Sequence, residues 1–233
     1  MRLLNAIHID ITFQFRHGFY YVYLFISVLY LLILFNLQQG IRETITLLLL
    51  FIDTTMLGFF FIGAIVLLEK GQNILQSLFV TPLRLSEYII AKVISLSILA
   101  MASALIIVTP IHLSIINFPV LLFGLWLSVI FFTLFGLIIA ARSQNVNDYF
   151  AKALGLGLVA SLPLAQYLHI FSTPLFYVLP TRATLILLEA AVKPTGLLHI
   201  IYAFICLLVW NSLAAFLAYR YFYRHVLVGT GAL

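Results

Sequence analysis

Six long apolar stretches, near residues 19–37, 46–68, 88–110, 119–141, 151–171 and 199–219, alternate with short polar breaks along this chain. Each is continuous and rich in Leu, Ile and Phe, without the apolar–polar alternation of a barrel strand. About 20 apolar residues in a helix cross the hydrocarbon core of a bilayer, and a helix satisfies its own backbone where no water is present. The pattern predicts an all-α polytopic membrane protein, with one transmembrane domain of six spans over residues 1–233.

Residues 1–17 follow another rule. Leu3, Ile7, Ile11 and Phe15 recur every fourth position, while Arg2, Asn5, Thr12 and Arg16 occupy much of the rest. That spacing predicts an amphipathic helix lying in the interface. Tyr20, Tyr21 and Tyr23 follow, at headgroup level. The helix reads as an anchor, with a cytosolic contact as the alternative. Before the last span, the apolar run 183–192 is too short to cross. Pro180 and Pro194 bracket it and Thr181 is placed to cap it, which predicts a re-entrant or interfacial helix on the outer side.

Composition sharpens this picture. Hydrophobic residues make up 64% of the chain and charged ones 8%, with a mean hydropathy of +1.19. Soluble domains carry roughly 25% charged residues, so a water-facing surface is excluded. The net charge of +5 contains no basic run, which argues against nucleic acid and makes the charges markers of sidedness. With both termini cytosolic, Arg2, Arg16, Lys70, Arg84, Lys92, Arg142, Lys152, Arg220 and Arg224 face inward, against Arg42, Arg182 and Lys193 outside. This obeys the positive-inside rule. Cys206, the single cysteine, sits in an apolar run and excludes an internal disulfide. No cleavable signal peptide is expected, since Arg2, Asp10 and Arg16 interrupt the start and no small-residue cleavage site follows the first long run.

Charge is nonetheless concentrated in one break. Glu69, Lys70, Arg84, Glu87 and Lys92 all fall within residues 69–92, between the second and third spans. Inside this loop, Ile74, Leu75, Leu78 and Phe79 share one face of a short helix, with Gln72, Asn73 and Gln76 opposite. Thr81-Pro82 ends it, because proline disfavours helical geometry in the residue before it. Ser86 is expected to cap the next helix, with Glu87 in its first turn. An amphipathic helix of this kind either plugs a groove on a soluble partner or simply joins two spans.

Glu69 and Gly71, then Leu75 and Leu78, then Thr81-Pro82-Leu83, then Glu87, Tyr88 and Lys92 form a pattern similar to the hallmark loop of ABC-2 type permeases. These are the membrane subunits of type V ABC exporters. The resemblance is specific over the loop and extends to the layout of interfacial helix, six spans and broken hairpin; Asn73 departs from the threonine many relatives carry. It implies that Glu69, Gly71, Ile74, Leu75, Leu78, Phe79 and Pro82 couple the spans to an ATPase subunit. The chain has no G-x-x-x-x-G-K-[ST] motif, and Gly155-Leu156-Gly157 lies within an apolar run. ATP and Mg are therefore expected on a cytosolic ABC ATPase, with no catalysis and no cofactor on this chain. A second permease copy or paralogue and membrane lipids complete the expected partners, in the plasma (inner) membrane of a prokaryote. The absence of large loops resembles the drug- and antibiotic-export branch; a haem-exporter-type subunit is a variant of the same class.

Asp53, followed by Thr54 and Thr55, is an acidic residue well inside a span. An intramembrane carboxylate is costly and marks a functional site by default: it binds a cation, carries a proton, or is hydrogen-bonded within the bundle. A stand-alone proton-coupled carrier built on Asp53 is the competing function. Such carriers often show matched breaks in two inverted halves, and the sequence has one marked break, at 172–198. Arg182 and Glu189, seven apart, share a face of the outer helix and are candidates for the substrate pathway. His112, His169 and His199 lie near the outer boundary at spacings that form no ligand motif, so no metal site is expected.

Overall fold

A computed structural model describes residues 2–72, 74–75, 83–112, 117–168, 170–171 and 173–224, and every regular element among them is helical. The first helix, α1 (Arg2–Arg16), meets α2 (Phe19–Phe35) at a 65° bend. Gly18 makes the corner with φ +79°, a left-handed conformation that costs a residue with a side chain about 1–2 kcal/mol. Nothing crowds the position where its Cβ would be, so the dihedral alone accounts for the glycine.

Next come α3 (Gln39–Met56), a π-helical turn (Leu57–Phe61) and α4 (Ile62–Gly71), which run on as one segment. Then α5 (Leu85–His112) and α6 (Phe118–Ala141) follow. The segments Gln39–Gly71, Leu85–Ile111, Phe118–Arg142 and Leu197–Phe222 are each long and apolar enough to cross a bilayer, and the bent α1–α2 pair would add a fifth. The stretch 151–171, expected as one continuous span, instead divides into α7 (Val146–Ser161) and the five-residue α8 (Pro163–Tyr167). Pro163 is the cause: it has no N–H, and its ring crowds the carbonyl four residues back, at Val159. That carbonyl accepts from Leu162 instead, in a tighter turn.

A 3-10 turn (Pro174–Val178) leads into α9 (Pro180–Val192), and α10 (Leu197–Phe222) ends the fold. Pro180 occupies the first turn of α9, where its missing N–H is harmless. Thr181 does not cap α9: the N-cap is Leu179, without a side-chain bond. Ser86 likewise is not the cap of α5, which begins at Leu85; Glu87 accepts from the backbone N–H of Arg84 at 2.8 Å, one half of a capping box.

Side-chain pairs give the helix directions. Glu69 meets Lys92 and Asp53 meets Ser103, so the α3–α4 segment is antiparallel to α5. Phe59 packs on Phe132 while Lys70 reaches the carbonyl of Ser143 at 3.0 Å, so it is parallel to α6. The centre of the bundle is α6, buried along most of its length. It crosses the π-helical turn at Gly58 and Gly136, where a Cβ on either would overlap the neighbouring backbone. Small residues at such a crossing let helices approach closely in lipid, where packing rather than the hydrophobic effect drives association. Tyr149 from α7 closes the same crossing by donating its hydroxyl to the Phe59 carbonyl.

Against the other end of α6 lies α9, at 13 residues about 20 Å long, with Ser128 and Thr184 hydroxyls 3.0 Å apart. Asn117 donates its N–H to the Ala191 carbonyl at 2.9 Å, tying the start of α6 to the end of α9.

Candidate functional site

The predicted loop begins where α4 ends. Ile74 and Leu75 are helical, whereas Leu78, Phe79 and Pro82 lie outside the described residues. Leu75 is 2% exposed and packed in the chain's own core, so the face expected to meet a partner turns inward at this position. A side chain on Gly71 would meet nothing within 4 Å, so packing does not require a glycine there.

Glu69 and Lys92, the acidic and basic ends of the loop, meet inside the fold. The Lys92 ammonium is 2.5 Å from Glu69 Oε1 and 2.5 Å from Asp10 Oδ1, with 1% of its side chain exposed. The Tyr88 hydroxyl donates to Glu69 Oε2 at 2.7 Å. The rings of Phe13 and Tyr88 lie 6.0 and 5.2 Å from the ammonium, adding cation–π attraction. One turn further along α1, Gln14 donates to the Ser95 hydroxyl at 2.9 Å. Burial holds the Asp10 carboxyl above its ordinary range, with the Lys92 ammonium pulling in the opposite direction.

This network refines the reading of α1, in which Leu3, Ile7 and Ile11 of the expected stripe are half-buried. The face turned to the protein centres on Asp10 and Gln14, while Phe15, expected on the apolar stripe, is 49% exposed. Beside the network, a cavity of about 420 Å³ opens between α1, the end of α4 and the start of α5. Ile9, Phe13, Ile74 and Tyr88 form its apolar wall, and Asp10 and Glu69 border it.

Asp53 is 4% exposed and accepts from the Ser103 hydroxyl at 2.8 Å. Ser103 lies 3.0 Å from the Ser27 hydroxyl, so three helices share one hydrogen-bonded chain. Thr54 and Thr55, expected beside Asp53 in a common site, donate instead to the Leu50 and Phe51 carbonyls of their own helix, each at 2.7 Å. Arg182 and Glu189 are the partly exposed residues of an otherwise buried α9, and the Arg182 guanidinium lies 5.5 Å from the Tyr177 ring. His169 and the His112 side chain lie outside what is described.

A second cavity, of about 120 Å³, is bordered by Phe59 of the π-helical turn, Phe131 and Phe135 of α6, Leu156 of α7, Thr181 of α9 and Trp210 of α10. The Thr181 hydroxyl is buried without a hydrogen-bond partner, and the Trp210 indole donates to the Val178 carbonyl at 2.9 Å.

The sequence profile of the fluoroquinolones export permease protein family matches residues 1–230. The chain belongs to that family. Two curated relatives, the fluoroquinolones export permease proteins of two Mycobacterium tuberculosis strains, are each 28% identical to this permease over 197 residues. The alignment takes in 84% of this chain and 83% of each relative. Within this permease, sequence reasoning found both ends of the loop but passed over Asp10. Its position four residues before Gln14 on α1 was the available signal, since residues so spaced share a helix face.

Proposed function

We propose that this chain is the transmembrane permease subunit of an ATP-binding cassette exporter. It moves a small amphipathic drug out of the cell, and a separate cytosolic subunit binds and hydrolyses ATP with Mg. Family membership along residues 1–230 carries the reading, because the match takes in the hallmark loop as well as the spans. Six crossings complete the layout, with α2 and the broken α7–α8 unit joining the four long helices, α9 re-entering from the outer side, and both termini cytosolic in a prokaryotic inner membrane.

In this reading the loop transmits ATPase movement to the membrane helices. Glu69 and Leu75 face inward, so their part is to seat the loop on α5; Gly71, Ile74, Leu78, Phe79 and Pro82 are left for the partner's groove. Two permeases, identical or paralogous, form the pathway. The aromatic cavity between the second span and α7, at about 120 Å³, is smaller than a drug-sized site, so the pathway for an amphipath is completed between the two permeases, with Arg182 and Glu189 as its candidate outer contacts. Asp53, hydrogen-bonded to Ser103 and through it linked to Ser27, stabilises the bundle and is not a carrier of protons.

Inverted membrane vesicles from cells expressing this chain with its ATPase subunit test the reading. ATP-dependent accumulation of a fluoroquinolone is expected, persisting when a protonophore collapses the proton gradient. Accumulation driven by an imposed proton gradient without ATP would sink it in favour of a proton-coupled carrier.

A further inference from the structure

The helix α9 starts inside the bundle rather than at its edge. Its Ala191 carbonyl meets Asn117 at the beginning of α6, and its Thr184 hydroxyl lies 3.0 Å from that of Ser128, near the middle of that 24-residue helix. Leu179, Pro180 and Thr181, deeper still, form a wall of the aromatic cavity of about 120 Å³, which Phe131, Phe135 and Trp210 also line. A helix leaves its first N–H groups without intrahelical acceptors, and they carry the positive end of its dipole. Pro180 has no N–H to offer, and the carbonyls of Tyr177 and Val178, four and three residues before Thr181, accept from the Tyr202 hydroxyl and the Trp210 indole. Among the described residues no carbonyl accepts from the Thr181 N–H. The Thr181 hydroxyl is also buried without a partner, in a residue 1% exposed. Arg182 brings a positive charge to the same turn, its guanidinium 5.5 Å from the Tyr177 ring, and no acidic side chain among the described residues lines the cavity. Buried donors without acceptors are costly. In broken transmembrane helices such ends, set near the midplane, face anionic groups of a substrate.

We propose that the start of α9 is the subsite for a carboxylate on the transported compound. The Thr181 N–H and hydroxyl donate to the carboxylate, and the ring that bears it lies against Phe131, Phe135 and Trp210. The occupant is an aromatic carboxylic acid. A helix N-terminus favours an acid over an amine, and the aromatic wall favours an aryl acid over a fatty acid. An apolar cavity of about 150 Å³ takes one benzene ring, so this one admits the acid-bearing end of a ring system. The rest of the compound then lies in the pathway between the two permeases. The inference rests on the export reading and deepens it, by naming the group of the substrate that the chain recognises.

The test is equilibrium dialysis against the purified chain in phosphatidylcholine nanodiscs, with a fluoroquinolone as the probe and its methyl ester as comparator. The acid is expected to bind about tenfold or more tightly than the ester. Thr181→Val keeps the shape and removes the hydroxyl; it is expected to weaken binding of the acid about tenfold and to leave the ester unchanged. Ala160→Leu, which fills the cavity from α7, is expected to weaken both, and Val159→Phe replaces it if that variant is not monodisperse. Equal affinity for acid and ester overturns the proposal. So does wild-type affinity for the acid in Thr181→Val, which would give the hydroxyl to a bound water. Displacement of the probe by equimolar oleate overturns it in favour of a lipid acid. ATP-driven uptake of the fluoroquinolone by the wild-type complex separates the two ideas. Its absence sinks the exporter reading and leaves the preference for the acid standing, whereas uptake without that preference sinks the carboxylate subsite alone.

Discussion

Lys92 concentrates more of this molecule's electrostatics than any side chain near it. Its ammonium has two carboxylates at 2.5 Å and 1% of its side chain exposed. Removing one member of a buried ion pair leaves the other charged and unsolvated, which costs more than the pair contributed. Lys92→Met is therefore expected to destabilise the fold by about 3–5 kcal/mol. Asp10→Asn leaves Lys92 paired with Glu69 and is expected to cost about 1–2 kcal/mol. Thermal unfolding of the two variants in one detergent checks the order; equal midpoints would refute the account. Glu69 and Lys92 were legible as the ends of a charged break. Asp10 was not, because on an interfacial helix a carboxylate reads as water-facing until its partner is seen.

At the scale of elements, helix interiors follow the apolar runs while breaks follow single residues. Pro163 ends α7 ten residues short of the expected end of the fifth span at 171, by denying a backbone donor and crowding the Val159 carbonyl. Replacing it restores both. Pro163→Ala is expected to join α7 to α8, and hydrogen exchange would then show protected amides at 162–167; unchanged exchange there would mean that packing, not proline, sets the break. The π-helical turn at Leu57–Phe61 had no comparable signal. It sits where Gly58 and Gly136 cross and where Tyr149 claims the Phe59 carbonyl. Its partners come from α6 and α7, more than seventy residues away in sequence, so no local pattern announces it. One position of the α1 stripe, Phe15, departs from the rest for a related reason. A period of four drifts around a helix of 3.6 residues per turn, and Phe15 ends on the exposed side, stacked at 4.0 Å on Tyr20.

The whole molecule sorts its charges between two ends. Lys92 joins Asp10 and Glu69, Lys70 reaches Ser143, and Arg142 lies 4.7 Å from the Tyr221 ring, all at the end where α1 lies and α4, α6 and α10 terminate. The far end holds the joint of α6 with α9, where Asn117 meets Ala191, and the indole of Trp210 on Val178 lies toward it. Membrane-impermeant thiol labelling tests which end is cytosolic. In a Cys206→Ser background, Lys193→Cys is expected to react in intact cells and Gln144→Cys in inverted vesicles alone. The opposite pattern would reverse the proposed orientation.

Sequence alone determined that this is a helical membrane protein, where most of its long helices run, and which loop resembles a docking element. Those features follow from the free energy of transferring residues between water and lipid, which is additive along the chain and so can be read locally. Tertiary structure decided how the loop's ends are used. Glu69 and Leu75 turn inward, Asp10 reaches across from α1 to share Lys92, and Asp53 settles against Ser103 rather than its neighbouring threonines. A buried charge or hydroxyl is satisfied by whichever partner folding brings within hydrogen-bonding distance. That partner lies 82 residues away for Asp10 and 50 for Asp53, beyond the reach of any local pattern.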